Sequence, residues 1–163
     1  MKVHHPKVTG WEAVKKWEHI EGILDRFSSV RLFMLCVDRD GHEQRRGILD
    51  RLEEKANRIL TPTGRLFLAE HVWQEVEVWT LAGIDWKLKT KWTWDAIRSE
   101  RDSKEHYFEP IVKHKGLINS PGAGRAILGA EAARNYAKVC QNCPEIQRLE
   151  GRIRRWIEAT AQR

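Results

Sequence analysis

Long apolar runs are missing from this sequence. Nowhere do apolar residues continue for the ~20 positions that a bilayer-crossing helix needs, and the longest stretches span only a few residues. Met1 to Pro6 include two histidines and no apolar leader core, so no secretion signal is expected. A cytoplasmic protein without a membrane partner is the expectation. Cysteine is scarce as well. Three cysteines cannot build a disulfide framework. Cys36 lies within an apolar run and is expected in the core. Cys140 and Cys143 form a lone CxxC, short of the four ligands of a zinc site and without the strand-to-helix setting of a redox pair. A reduced pair at a loop-to-helix junction is expected there. The seven histidines contain no HxxxH pair, which excludes that class of zinc protease. Gly122-Ala123-Gly124-Arg125 has neither the spacing nor the lysine of a P-loop. The sequence contains neither internal repeats nor low-complexity segments.

Charge is plentiful. Lys, Arg, Asp and Glu make up 32% of the 163 residues, with a net charge of +6. Residues 1–109 hold 19 basic and 19 acidic side chains, and residues 110–163 hold 10 and 4. All of the excess therefore lies in the last third. A one-sided basic surface suits a polyanion, DNA or RNA first; a well-solvated helical tail has the same composition. The length suits one domain.

Apolar spacing of three and four predicts a helix over Trp11 to Phe27, capped by Thr9. Val30 to Val37 is a nearly continuous apolar run and predicts a strand buried on both faces. It ends at Asp38-Arg39-Asp40-Gly41. A helix follows over Glu43 to Leu60, with Ile48, Leu52, Ala56 and Ile59 on its stripe. Thr61-Pro62-Thr63-Gly64 closes it, and Arg65 to Ala69 predicts a second strand, parallel to the first. Further helices are expected over His71 to Gly83, over Ala126 to Val139 and from Pro144 onward, the last with Ile146, Leu149, Ile153, Trp156 and Ile157 inward. Trp86 to Trp94 alternates like a strand, with Trp86, Leu88, Thr90, Trp92 and Trp94 on one side. Its tryptophans could stack on bases, with Lys87, Lys89 and Lys91 along the phosphates; burial against a helix is the commoner use. The expected class is α/β, a small, largely parallel sheet flanked by helices. Residues 1–109 form the core, and residues 110–163 are a basic helical part of the same domain.

Sites in parallel sheets collect beyond the carboxyl ends of the strands. Asp38 and Asp40 stand at such an end, and residues i and i+2 of an extended chain point the same way. Two close carboxylates repel, and a hard divalent cation relieves this. Oxygen-only ligands favour magnesium or manganese over zinc. A polar turn in which Asp40 caps the next helix would use the same residues.

The string LFMLCVDRDGHEQRRGILDRL resembles the aspartate-pair strand of the Toprim fold, shared by topoisomerases, primases and overcoming-lysogenisation-defect nucleases. VDRDG, EVEVWTLAG, DSKEHYFEP and CPEIQRL together resemble a set of bacterial Toprim-like proteins found among anti-phage defence genes. The resemblance spans about Gly10 to Trp156. It implies magnesium on Asp38 and Asp40, with Glu77 as a third acidic group, and a nuclease reaction. Lys104 and Glu105 fall in a matching segment and could reach a phosphate or the metal; a surface ion pair is the alternative. Toprim domains open with a strand ending in Glu-Gly. The one look-alike here, Ile20-Glu21-Gly22, lies inside a helical pattern, so that strand is expected to be missing or the site degenerate. A missing strand would leave a sheet edge for a partner protein or a second copy.

Arg125 and the amides of its loop could meet a phosphate. Arg148, Arg152, Arg154 and Arg155 face outward from the last helix, and Arg148, Arg152 and Arg155 are the expected nucleic-acid contacts. The leading expectation is a magnesium-dependent nuclease, the next a catalytically incomplete binding subunit. A haloacid-dehalogenase-type phosphatase comes last, because His42 stands where that motif has threonine and no later GDxxxD segment follows.

Overall fold

The computed structural model describes residues 10–86 and 91–161. It has two parallel strands in one sheet with helices on the flanks, and its C-terminal part is helical. The expected α/β class is met. The chain divides into two compact units, one of residues 1–36 and 44–70, the other of residues 37–43 and 71–163. Both strands run through from the first unit into the second.

In the first unit, the helix expected from Trp11 onward is broken. Helix α1 is Trp11–Val14 and α2 is Trp17–Arg26, with Lys16 extended between them. Thr9 lies outside the described residues, and Gly10 occupies the position before α1 at φ 86°. Ile20 and Leu24, four apart, are the buried face of α2. Strand β1 is Leu32–Asp38, helix α3 is Arg45–Leu60 and strand β2 is Leu66–Val72. A 3₁₀ turn, Thr61–Thr63, ends α3, and Gly64 at φ 70° supplies the left-handed residue that turns the chain into β2. The stripe of α3 keeps the expected Leu52 and Ala56 but takes Leu49 and Leu60 in place of Ile48 and Ile59, and Ile59 is exposed. Ile48 with Leu49 and Ile59 with Leu60 are adjacent apolar pairs, so periodicity could not choose between their members.

The burial expected of β1 is found on β2 instead. β2 is buried along most of its length, whereas Met34 and Cys36 of β1 are exposed. A continuous apolar run did not mean two covered faces. Side chains of α3 take the amides along β2: Asn57 Oδ1 accepts from Phe67 N–H at 2.8 Å, and Glu53 Oε2 from Ala69 N–H at 2.8 Å. Among the described residues β1 pairs only with β2.

In the second unit, β2 continues to Val72, so the helix expected from His71 starts later, as α4, Glu77–Gly83. Helix α5 is Trp94–Ser99, opened by Thr93, whose hydroxyl accepts from Ala96 N–H. Thr93 and Trp94 therefore leave the alternation expected of Trp86 to Trp94, while Lys87, Leu88, Lys89 and Thr90 lie outside the described residues. Trp86, Trp92 and Trp94 pack on one apolar core. A π-helical segment, Lys104–Phe108, leads into α6, Glu109–His114.

The helix expected over Ala126 to Val139 is two: α7, Arg125–Arg134, and α8, Tyr136–Asn142. Asn135 breaks it, and its Nδ2 donates to Gly83 O at 2.8 Å while Asn142 Nδ2 donates to Ala82 O at 3.0 Å. These bonds satisfy the otherwise orphaned carbonyls at the end of α4. Helix α9 is Pro144–Ala161. Leu149 is buried as expected, but Ile157 is 53% exposed. The core of the unit is Leu81, Ile84, Ile97, Phe108, Ile111 and Leu128, each 0–2% exposed. No helix among the described residues is long and apolar enough to cross a membrane.

Candidate functional site

β1 ends on Asp38, and the chain turns at once. His42 N–H donates to Arg39 O at 2.8 Å, and the two residues between, Asp40 at φ 45° and Gly41 at φ 70°, are both left-handed. Mirror-image tight turns require this pair of angles, and Asp and Gly are residues that tolerate them. The extended geometry that would aim Asp38 and Asp40 the same way therefore stops at Asp38. Nor does Asp40 cap α3, which begins after Gln44 without a side-chain cap.

Asp38, half-buried, reaches the segment after β2 instead. Its Oδ1 accepts from Val76 N–H at 2.8 Å, just ahead of α4. Arg39 and Asp40 donate their amides to Gln74 O at 2.9 and 3.2 Å. The turn after β1 and the loop after β2 are thus tied together. Gln74, itself at φ 63°, carries a buried side-chain oxygen with no hydrogen-bond partner among the described residues.

The loop brings further acids. Glu75 Oε2 accepts from Lys104 N–H at 2.7 Å, at the start of the π-helical segment. Burial pushes the Glu75 carboxyl up; the Lys104 amide opposes, and the charges of Glu105, Glu77 and Asp38 raise it further. Glu77, 4% exposed, opens α4. It is held by Arg125, the first residue of α7, at 2.6 Å from Nη2 and 2.7 Å from Nε. Lys104 Nζ meets Glu105 at 2.8 Å on the surface, the arrangement offered above as the alternative to a phosphate contact. Each holds the other in its charged form. Lys104 and Arg125 also edge a cleft of about 120 Å³ floored by Phe108, Val112 and Ile118.

The structure therefore draws Asp38, Glu77, Lys104, Glu105 and Arg125 to one region, with Asp40 on its turn. Arg148 and Arg155 are exposed on α9, and Arg152 is half-buried. Glu21 is an exposed residue of α2, as its helical setting required. Cys36 is exposed rather than in the core. Cys140 is half-buried at the end of α8, and Cys143 is buried just after it. The Cys143 thiol is pushed up to about 12, by burial first and by Glu145, so it stays protonated at neutral pH and is no nucleophile.

No family model, curated protein or solved structure matches the chain.

Three features escaped sequence reasoning. Trp73 lies between two guanidinium groups, Arg39 at 4.2 Å and Arg98 at 5.0 Å from the ring centre, and its Nε1–H donates to Arg98 O at 2.7 Å. Glu145, 3% exposed, accepts from Arg98 at 2.7 and 3.2 Å and from Trp79 Nε1–H at 3.0 Å. Gln74 and Glu75 are the third. The resemblance carried by the EVEV string singled out Glu77 alone, and no pattern marks a glutamine for burial.

As donors, Asp38, Asp40, Glu77 and Gln74 offer oxygen only, the kind of ligand a hard divalent cation takes. An orphaned buried acceptor such as Gln74 Oε1 fits the same chemistry. Among the described residues no three His, Cys, Asp or Glu side chains are yet grouped as a metal cage, and Arg125 is the cation now on Glu77.

Proposed function

We propose that this chain is a Toprim-like protein of anti-phage defence that acts on DNA or RNA, with magnesium or manganese at Asp38, Asp40 and Glu77 and phosphodiester hydrolysis as its reaction. The observation that carries the reading is the gathering of carboxylates beyond the ends of two parallel strands. Asp38, Glu77 and Glu105 all press on Glu75, and such a cluster attracts a cation. The metal would polarise the phosphate and steady the leaving oxygen. Asp38 and Asp40 would hold it, joined by Glu77 once Arg125 lets go. Arg125, so released, would face the phosphate. Glu75, with its raised carboxyl, is the residue suited to hold or pass a proton, beside Lys104 and Glu105.

A second reading is favoured by the same ion pair. Asp38 and Glu77 already serve structural bonds, to Val76 N–H and Arg125. A catalytically incomplete subunit would keep these acids as scaffold. It would bind nucleic acid through Arg148, Arg152 and Arg155, and take a partner strand or a second copy along β1. The first reading makes the isolated chain a slow nuclease, and the second makes it a binder that does not cleave.

The discriminating experiment is cleavage of supercoiled plasmid and single-stranded DNA with magnesium or manganese, against the Asp38→Ala, Asp40→Ala double variant. Cleavage lost in the variant supports the enzyme. Binding without cleavage supports the subunit, and neither binding nor cleavage contradicts both.

A further inference from the structure

Three arginines surround the turn after β1 and its tryptophan, and two of them are committed. Arg39 stacks on Trp73 and donates to Glu43 at 3.0 Å. Arg98 stacks on the same ring and is held by buried Glu145. Arg101 differs. It is exposed, and among the described residues its side chain makes no hydrogen bond and no ion pair. It lies near the turn, with its Cδ and Nε 3.8 Å from where a Cβ on Gly41 would stand. The guanidinium stem thus lies across the residue that follows Asp40. Its sequence neighbour Glu100 is engaged elsewhere, accepting from Asp102 N–H at 3.2 Å and facing His106 Nδ1 at 3.0 Å.

An uncommitted guanidinium beside the turn that carries Asp40 and Gly41 has a chemical use. A phosphodiester approaching Asp38 and Asp40 meets like charge, and a planar fork of donors at the rim offsets that repulsion while fixing the phosphate in the plane of the fork. Glycine at position 41 takes the left-handed angle of the turn beside which Arg101 lies.

We propose that Arg101 is the phosphate-binding residue of the acidic site, gripping one backbone phosphate of a DNA or RNA strand laid over the Asp38–Gly41 turn. The proposal rests on the nucleic-acid reading given above. Its test is binding of a short fluorescein-labelled single-stranded DNA, and of its duplex, across a salt series, for the parent chain, Arg101→Ala, Arg101→Lys and the Arg148→Glu, Arg155→Glu double variant. Arg101→Ala is expected to weaken binding about tenfold and to lower the slope of log affinity against log salt by about one contact. Arg101→Lys is expected to keep the slope and part of the affinity. Exposure of Arg101 makes a folding defect unexpected, and far-ultraviolet circular dichroism identical to the parent's is the control. Parent-like affinity and slope in Arg101→Ala, with binding abolished in the α9 variant, would overturn the assignment to Arg101 and leave the nucleic-acid reading standing. Absence of binding by the parent even at low salt would overturn both.

Discussion

Single residues decide how the acids of this protein behave. Glu145 is buried, yet its carboxyl lies below the ordinary range. Burial alone pushes it up, and the hydrogen bonds from Arg98 and Trp79, with the Arg98 charge, outweigh that. Breaking such a buried pair leaves a charge uncompensated, so Glu145→Ala should cost about 3–5 kcal/mol in urea unfolding. Because the folded value is depressed, this stabilisation is present above the unfolded pKa and lost as pH falls through the folded one.

Glu75 works the other way. Its folded value is raised, so the charged carboxylate is penalised in the fold at neutral pH, and the penalty is relieved as pH falls from the raised folded value toward the ordinary carboxylate pKa. Glu75→Gln keeps an acceptor for Lys104 N–H. It should raise stability at neutral pH and remove that part of the pH dependence, as read by unfolding at mildly acidic and neutral pH. Equal stability of the two proteins throughout would contradict the crowding of carboxylates proposed at this site.

At the scale of elements, what the sequence made legible follows from how local each signal is. The β1, α3, β2 order could be read because apolar runs, turn residues and helical spacing all act within a few positions. The end of β2 could not, because His71 and Val72 fit the first turn of a helix as well as the end of a strand. The break at Asn135 was hidden for a different reason: it depends on Gly83 O, far away in sequence. The same reasoning marks Asp38 as legible at a strand end, whereas its bond to Val76 N–H and the Arg125 hold on Glu77 are contacts between distant segments.

Helix packing in the second unit gives a sharp test. A Cβ on Gly83 would stand 2.7 Å from Ala132 Cα and 2.7 Å from Val139 Cγ2. Gly83→Ala should therefore destabilise by about 1–3 kcal/mol, against the usual gain of alanine in a helix. In the first unit, β1 presents Met34, 48% exposed, on a strand whose only described neighbour is β2. Unprotected edges invite pairing. Self-association measured by sedimentation should rise with concentration and fall in Met34→Lys; a parent chain monomeric at all concentrations would remove the edge from the account.

For the whole molecule, charge and site are separate devices on one chain. The basic excess lies in residues 110–163, while the carboxylates gather around the ends of the two strands. On the proposed reading, long-range attraction to a polyanion would belong to the first, and placement of one phosphate to the second. The claim on which the rest depends is that the acidic site takes a divalent cation, and titration of manganese followed by electron paramagnetic resonance tests it most directly. The account predicts one site in the parent chain, lost in the Asp38→Ala, Asp40→Ala variant, and tightened in Arg125→Ala, where Glu77 is released from its ion pair. Manganese affinity unchanged by loss of both aspartates, or no binding by any of the three proteins, would contradict it.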